Sequence, residues 1–328
     1  MAKKGVERAV VKQSKRQRKH CWRLSGVKKN NSRCGYIAIV GRPNVGKSTL
    51  LNAILNKKLV ITSHKAQTTR HAILGIKTVE NEQFIYVDTP GMHRDGGRQL
   101  NRVMNRAAES VLYDVDLILF LIEAKKWQEN DDRVLDKLKK LDIPVLLIVN
   151  KIDQLASKEA LLPTLERLSK KMTFADIVPI SAMKQKNVSH LETVVAKYLP
   201  DNPHFFPSDR LTDRGNDFII AEMLREKILQ YCQEEVPYSA TVTVEKFERD
   251  EKLLSISVII WVERETQKAI MIGKKGENLK HIASRARHDL EKYFDEKIFL
   301  QCHVKVKSGW ADDHQALQKF GLLDNPED

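Results

Sequence analysis

The sequence predicts an α/β domain with a doubly wound, mostly parallel sheet, followed by a smaller α+β domain of order α-β-β-α-α-β. Three observations carry this prediction. Short apolar runs alternate with helix-like stretches from Tyr36 onward; residues 199–214 carry Pro200, Pro203 and Pro207 among polar residues; and beyond that stretch the pattern of elements changes. With 328 residues, 42% of them apolar and 30% charged, the chain can bury two cores. Its longest apolar runs, 117–122 and 145–149, are strand-sized and well short of the roughly 18 residues that a membrane-spanning helix needs.

Taken in chain order, residues 1–34 come first, as a basic extension predicted to be disordered. Twelve Lys or Arg face the single Glu7 up to position 33, while the remaining chain holds 44 basic and 42 acidic residues, so most of the +13 net charge lies in one arm. Nucleic-acid contact and simple solvation both suit such an arm, and an organellar transit peptide is a further reading. Cys21, Cys34, Cys232 and Cys302 are scattered without disulfide or zinc spacing, which fits a reducing compartment.

The next element, 36–40, is a short apolar strand. It runs into Gly41-Arg42-Pro43-Asn44-Val45-Gly46-Lys47-Ser48, a complete G-x-x-x-x-G-K-S phosphate loop. Glycines let successive N–H groups turn inward toward phosphate oxygens at the positive end of the following helix. Lys47 is expected at the β and γ phosphates, and the Ser48 hydroxyl on Mg²⁺.

Strands are predicted at 73–79, 84–87, 117–122, 145–149 and 177–180, and the other motifs follow strand ends, where ligands of doubly wound sheets sit. Asp88-Thr89-Pro90-Gly91 places Asp88 to hold a water of the Mg²⁺ shell and the Gly91 N–H to sense a γ-phosphate. Asn150-Lys151-Ile152-Asp153 selects the base, because the Asp153 carboxylate can accept both guanine N1–H and the exocyclic amine, donors that adenine lacks on that edge. Lys151 is expected to lay its stem along the ring, and Asn150 to tie the loop back to the phosphate loop. Ser181-Ala182 would offer the Ala182 N–H to guanine O6.

In this order and spacing the motifs resemble those of the translation-factor-like small GTPases over residues 36 to about 198. The resemblance implies a Thr closing over Mg²⁺; Thr69 in Gln67-Thr68-Thr69-Arg70 is expected to serve, with Thr68 the alternative. It implies GTP contacts along Gly41 to Thr49 and Asp88 to Met92, at Asn150, Lys151, Ile152 and Asp153, and at Ser181 and Ala182, with Lys47, Thr69, Asp88 and Gly91 the catalytic set. Met92 stands where related enzymes carry a water-orienting Gln, so slow intrinsic hydrolysis is expected. Asn44 resembles the Asn that some bacterial GTPases use to coordinate K⁺.

After the linker at 199–214, a helix is predicted at about 217–232, strands at 239–247 and 253–262, a helical pair, and a strand near 297–306, so that residues 215–307 form the second domain and 308–328 a tail. Between the paired helices lies Gly273-Lys274-Lys275-Gly276. KH domains use such a G-x-x-G loop to clamp single-stranded RNA. Residues 264–287 carry seven Lys or Arg, including Lys280 and Arg285, against two Glu. Ile270, Ile272 and Ile282 are expected to line the groove beside the loop, while Leu279, Ile282, Ala283, Ala286 and Leu290 fall at core spacing.

From Cys34 onward the chain resembles the Era family of bacterial ribosome-assembly GTPases, of the TrmE-Era-EngA-like group with a type II KH domain. Gln-Thr-Thr-Arg, Asp-Thr-Pro-Gly, Asn-Lys-Ile-Asp, Val262-Glu263-Arg264-Glu265 and Val306-Lys307-Ser308-Gly309-Trp310-Ala311-Asp312-Asp313 carry the resemblance beside the phosphate loop. It implies a monomeric, cytoplasmic, Mg²⁺-dependent GTPase that binds the 3′ end of 16S rRNA through the KH domain, assists assembly of the 30S subunit and associates peripherally with the inner membrane. An rRNA chaperone with a rarely hydrolysed nucleotide is the alternative. The basic extension has no counterpart in the family pattern.

Overall fold

The computed structural model describes residues 32–323 except 64, 66, 67, 92–98, 156, 158, 160, 233–235, 251 and 252; the N-terminal arm and Met92 therefore lie outside the described residues. The first half runs β1 (Arg33–Val40), α1 (Lys47–Leu55), β2 (Ile73–Val79), β3 (Glu82–Asp88), α2 (Gln99–Val111), β4 (Leu117–Glu123), α3 (Glu129–Leu138), β5 (Val145–Asn150), α4 (Leu161–Ser169), β6 (Asp176–Pro179) and α5 (Val188–Ala196). The sheet order is β2-β3-β1-β4-β5-β6, parallel throughout except for the β2–β3 pair.

The central strands read as continuous apolar runs because both their faces are covered. In β4, Leu117, Leu119 and Leu121 join one core with Leu50 and Ile54 of α1 and Leu191 and Val195 of α5. Ile118, Phe120 and Ile122 face the other way, onto Val134 and Leu138 of α3 and Leu168 of α4. The parallel pairing of β3, β1, β4 and β5 places their carboxyl ends on one edge, where the motif loops converge.

The second half runs α6 (Asn216–Tyr231), β7 (Thr241–Arg249), β8 (Leu254–Val262), α7 (Glu265–Ile272), α8 (Glu277–Phe294), β9 (Ile298–Val306) and α9 (His314–Lys319). Its sheet has order β7-β8-β9, with β7–β8 antiparallel and β8–β9 parallel. Leu254, Ile256, Val258, Ile260 and Val262 of β8 pack on Ile220, Leu224 and Ile228 of α6 and on Ile282, Ala286 and Leu290 of α8.

Three regions differ from the sequence expectation. β1 begins at Arg33, whose N–H donates to the Asn81 carbonyl at 2.9 Å, so the strand takes in the end of the segment read as an extension. The Pro-rich stretch lies against the first sheet: Gln83 Oε1 accepts from the Phe205 and Phe206 N–H groups at 2.8 and 3.0 Å, and the Leu211 carbonyl accepts from Ile76. The C-terminal segment is packed too. Trp310 is fully buried with Ala311, Ala316 and Leu317 against Leu100 and Met104 of α2, and its indole N–H donates to the Ser239 carbonyl at 3.0 Å. Part of the surface that covers these apolar residues comes from α2, in the other half of the chain, which local periodicity does not reveal.

Candidate nucleotide site and RNA interface

Between β1 and α1 the chain turns through positive φ at Gly41 (153°), Asn44 (65°) and Gly46 (102°). A Cβ at Gly46 would lie 2.5 Å from Asn150 Nδ2, so both the conformation and the space exclude a side chain there. Asn150, at the end of β5, acts as a bolt: its Nδ2 donates to the Val45 carbonyl at 2.8 Å and its Oδ1 accepts from the Ala182 N–H at 3.0 Å. Lys47 folds back over the loop, donating to the Gly41 and Arg42 carbonyls at 3.1 and 3.2 Å. Burial pushes its ammonium down to about 8, against the pull of the Asp88 carboxylate. A phosphate held in the loop would restore the charge.

At the start of α1, three oxygen-bearing side chains meet. Ser48 Oγ donates to Asp88 Oδ2 at 2.7 Å, Thr69 Oγ1 donates to the same oxygen at 3.2 Å, and the two hydroxyls are 3.0 Å apart. Asp88 is fully buried, and its Oδ1 has no hydrogen-bond partner among the described residues. Burial raises its pKa, with Lys47, Ser48 and Thr69 opposing. A buried carboxylate with an orphaned oxygen beside two hydroxyls is a donor set that suits a hard cation such as Mg²⁺, so the residues present fit the ion. Thr68 also lines the cavity, but its hydroxyl donates to the Lys65 carbonyl at 2.7 Å, so Thr69 rather than Thr68 reaches this cluster. Gly91 packs on the phosphate loop closely enough that a Cβ would meet three Pro43 atoms at 3.0–3.1 Å.

On the other side of the pocket, Asp153 accepts from the Ser181 hydroxyl, and Lys151 donates to the Asn44 carbonyl at 2.7 Å while pairing with Glu123. Glu123 also pairs with Arg42. Despite partial burial, the hydrogen bonds from Lys151 and Arg42 hold the Glu123 carboxyl below its usual range.

A cavity of about 560 Å³ joins these groups, a size suited to a nucleotide. Of the expected contacts, Pro43, Asn44, Gly46, Lys47, Ser48, Thr49, Thr69, Gly91, Asn150, Lys151, Asp153 and Ser181 line it, while Gly41, Arg42, Val45, Asp88, Thr89, Pro90, Ile152 and Ala182 do not. Some of these departures have clear causes. The Arg42 guanidinium turns outward to Glu123 and, at 3.3 Å, to Asp131, leaving its carbonyl to Lys47. Thr89 donates to the Ile39 carbonyl at 3.0 Å. The Ala182 N–H, expected at guanine O6, is taken by Asn150, because anchoring Nδ2 on Val45 aims Oδ1 at that amide.

Sequence reasoning missed Thr62, Ser63, Lys65, Gln154 and Met183 on the wall, and also Leu229 and Gln230 of α6. None belongs to a motif, and the last two come from the other half of the chain. Glu123 and Asp131 were missed as well; the only signal was a carboxylate ending an apolar strand.

In the second half, Gly273 (φ 73°), Lys275 (52°) and Gly276 (80°) give the G-x-x-G loop a run of left-handed residues. Asn278 braces it, donating to the Ile270 carbonyl at 2.9 Å. Lys274, Lys275, Lys280 and Arg285 are exposed, as is Ile270, with Ile272 half-buried. Ile282 is a correction: it is fully buried in the core under β8, since its position on α8 shares the inward face with Ala286 and Leu290.

Residues 36–151 match the family described as 50S ribosome-binding GTPase, and residues 235–311 match the KH domain. The GTPase Era of Marinobacter nauticus is 54% identical over 293 residues, which cover 89% of this chain and 96% of that protein. The chain belongs to the Era family of GTPases. GTPase Era of Pseudomonas aeruginosa is 51% identical, again over 89% of this chain. Two Era crystal structures match with a TM-score of 0.86, each covered completely by 89% of this chain. One is an Aquifex aeolicus Era variant bound to GDP·AlF4⁻, at 38% identity. The other is Era in complex with MgGDPNP and nucleotides 1506–1542 of 16S ribosomal RNA, at 39%. As an Era-family protein, the chain is a GTPase with a P-loop domain and a KH domain.

Gly46→Ala tests the phosphate loop. It is expected to weaken GDP binding by about ten- to a hundredfold and to lower the thermal midpoint by roughly a few degrees, since the added Cβ strains a left-handed position and meets Asn150. Fluorescent-GDP titration beside a melting curve checks both, and wild-type affinity would contradict the requirement for glycine.

Proposed function

We propose that this chain is a GTP-switched RNA-binding factor that holds the 3′ end of 16S rRNA on its KH loop and assists assembly of the 30S subunit. Its proposed units are the G domain at 35–198, a connecting stretch at 199–214, the KH domain at 215–307 and a C-terminal segment at 308–328. The observation that carries the reading is the coexistence in one chain of two features. One is the Ser48–Thr69–Asp88 cluster beside a phosphate loop; the other is a left-handed, lysine-bearing turn between glycines.

In this reading the N–H groups of the phosphate loop and Lys47 hold the β and γ phosphates, and Ser48 and Thr69 ligate Mg²⁺, with Asp88 acting through water. Mg²⁺ when bound would neutralise charge on the oxygens of the transferred phosphoryl group. Gly91 offers its N–H to the γ-phosphate. Asp153, oriented by Ser181, accepts the guanine N1–H and amine, and Lys151, fixed on the Asn44 carbonyl, covers the ring. Lys274, Lys275, Lys280 and Arg285 attract RNA phosphates, and Ile270 and Ile272 offer apolar surface to unstacked bases. The protein works as a monomer in the cytoplasm with peripheral contact to the inner membrane; among the described residues no helix is long and apolar enough to cross a membrane.

Met92 offers no group to orient water, so hydrolysis is slow unless a cation assists, and Asn44 in the phosphate loop is the proposed K⁺ ligand. GTPase rates at matched ionic strength should be higher in K⁺ than in Na⁺; equal rates would remove Asn44 from this role.

Asp153→Asn is expected to reduce the preference for GTP over ATP by about tenfold or more, since a charge-assisted pair of hydrogen bonds is lost. Competition binding measures it, and retained preference would overturn the base assignment. Changing Lys274 and Lys275 together to Asp should abolish binding of a labelled 3′-terminal 16S rRNA fragment and leave GDP affinity intact. RNA binding at wild-type strength would remove the loop from the interface.

A further inference from the structure

Helix α6 belongs to the KH half, yet it buries a run of charged side chains. Glu222, Arg225, Glu226 and Lys227 are between 1% and 7% exposed. Buried charges need partners, and Arg225 and Glu226 find some of theirs in residues 58–70 of the GTPase half, the segment that ends in Thr68-Thr69-Arg70. Glu226 accepts from the Lys58 ammonium and, at 3.0 Å, from the Thr62 N–H. Lys65 donates to the Cys232 carbonyl, just past the helix.

The contacts tighten around Thr69. On its N-terminal side, the Thr68 carbonyl accepts from Arg225, whose guanidinium is also held at 2.7 Å by both carboxylate oxygens of Glu222. On its C-terminal side, Arg70 is 3% exposed and donates to three KH-half carbonyls: Ala240 at 2.8 Å, Tyr238 at 2.9 Å and Pro237 at 3.4 Å. Thr69 thus sits between two guanidinium anchors, with its hydroxyl 3.0 Å from Ser48 and 3.2 Å from Asp88. Leu229 and Gln230, one turn further along α6, stand in the wall of the same cavity.

We infer that Arg225 and Arg70 are positioning residues for Thr69, so that the KH half completes the metal side of the nucleotide site. The inference rests on the reading of Thr69 as a Mg²⁺ ligand. Neither guanidinium need touch nucleotide. Each fixes backbone next to Thr69, in a stretch without regular structure whose ordering would otherwise cost conformational entropy. GDP does not require Thr69, whereas Mg²⁺-dependent GTP binding does.

The test uses the full chain and two variants: Arg225→Met combined with Glu222→Gln, which removes both members of that buried pair together, and Arg70→Met. Equilibrium binding of a non-hydrolysable GTP analogue is measured with and without Mg²⁺, and of GDP without Mg²⁺. The expected result is GDP affinity within about twofold of wild type and a loss of about tenfold in the affinity gain that Mg²⁺ confers, the scale of one charge-assisted hydrogen bond. Thr69→Ala should show the same loss, and adding it to either variant should cost nothing more. Arg225→Lys, which keeps a donor for the Thr68 carbonyl, should recover part of the gain. If Thr69→Ala keeps the full Mg²⁺ gain, the metal reading itself fails. If Thr69→Ala loses it while both arginine variants keep it, the positioning inference is overturned. Should the paired variant melt early, Arg70→Met decides alone, since the hydrogen bonds of its guanidinium go to backbone carbonyls.

Discussion

The structure depends on one backbone constraint: the turn from β1 into α1 must point its N–H groups inward, which requires positive φ at Gly41, Asn44 and Gly46. A loop of this shape is not self-supporting. Asn150 holds it through the Val45 carbonyl, and Lys47 laces it from beneath through the Gly41 and Arg42 carbonyls. Because Asn150 ends β5 and also accepts from Ala182 beyond β6, the base loops inherit their placement from the same bolt. The phosphate loop and the loops after β5 and β6 are therefore tied to one another through Asn150.

The second layer is electrostatic and crosses the chain. Arg42, Glu123, Asp131 and Lys151 form a partly buried network that fastens the outer side of the phosphate loop to α3 and to the base loop. Glu222, Arg225, Glu226 and Lys227 do the equivalent between α6 and the segment before Thr69, with Lys227 closing on Asp289 of α8. Groups of this kind contribute little net stability when complete and cost several kcal/mol when half removed, so they specify one arrangement rather than strengthen many. Trp310, wedged against α2 and bonded to Ser239, adds an apolar fastening on the opposite flank. The stretch before Thr69 and helix α2 therefore both lean on the second half of the chain.

The Era-type architecture could be read from residues whose chemistry is local. A phosphate loop, an Asp-x-x-Gly and an Asn-Lys-x-Asp each carry their meaning in a few adjacent positions, and the apolar strands before them were visible as runs because both faces are covered. Where a residue's role depends on a distant partner, the reading erred or stayed open. Ile282 suited groove and core alike until α8 turned it inward. Ala182 looked free for guanine until Asn150 took its N–H. Thr69 was favoured with Thr68 left as the alternative, and the two part where one hydroxyl meets Asp88 and the other its own loop.

The sequence by itself determined the two folds, the nucleotide loop and the basic G-x-x-G turn, because spacing along the chain sets backbone conformation and the face that each strand or helix presents. Only the tertiary structure decided that Arg42 turns away from the cavity, that the C-terminal segment is packed, and that α6 lines the nucleotide site. Those outcomes are settled by which buried charge or apolar surface finds a partner more than eighty residues away. No periodicity of 2 or 3.6 residues encodes such a pairing.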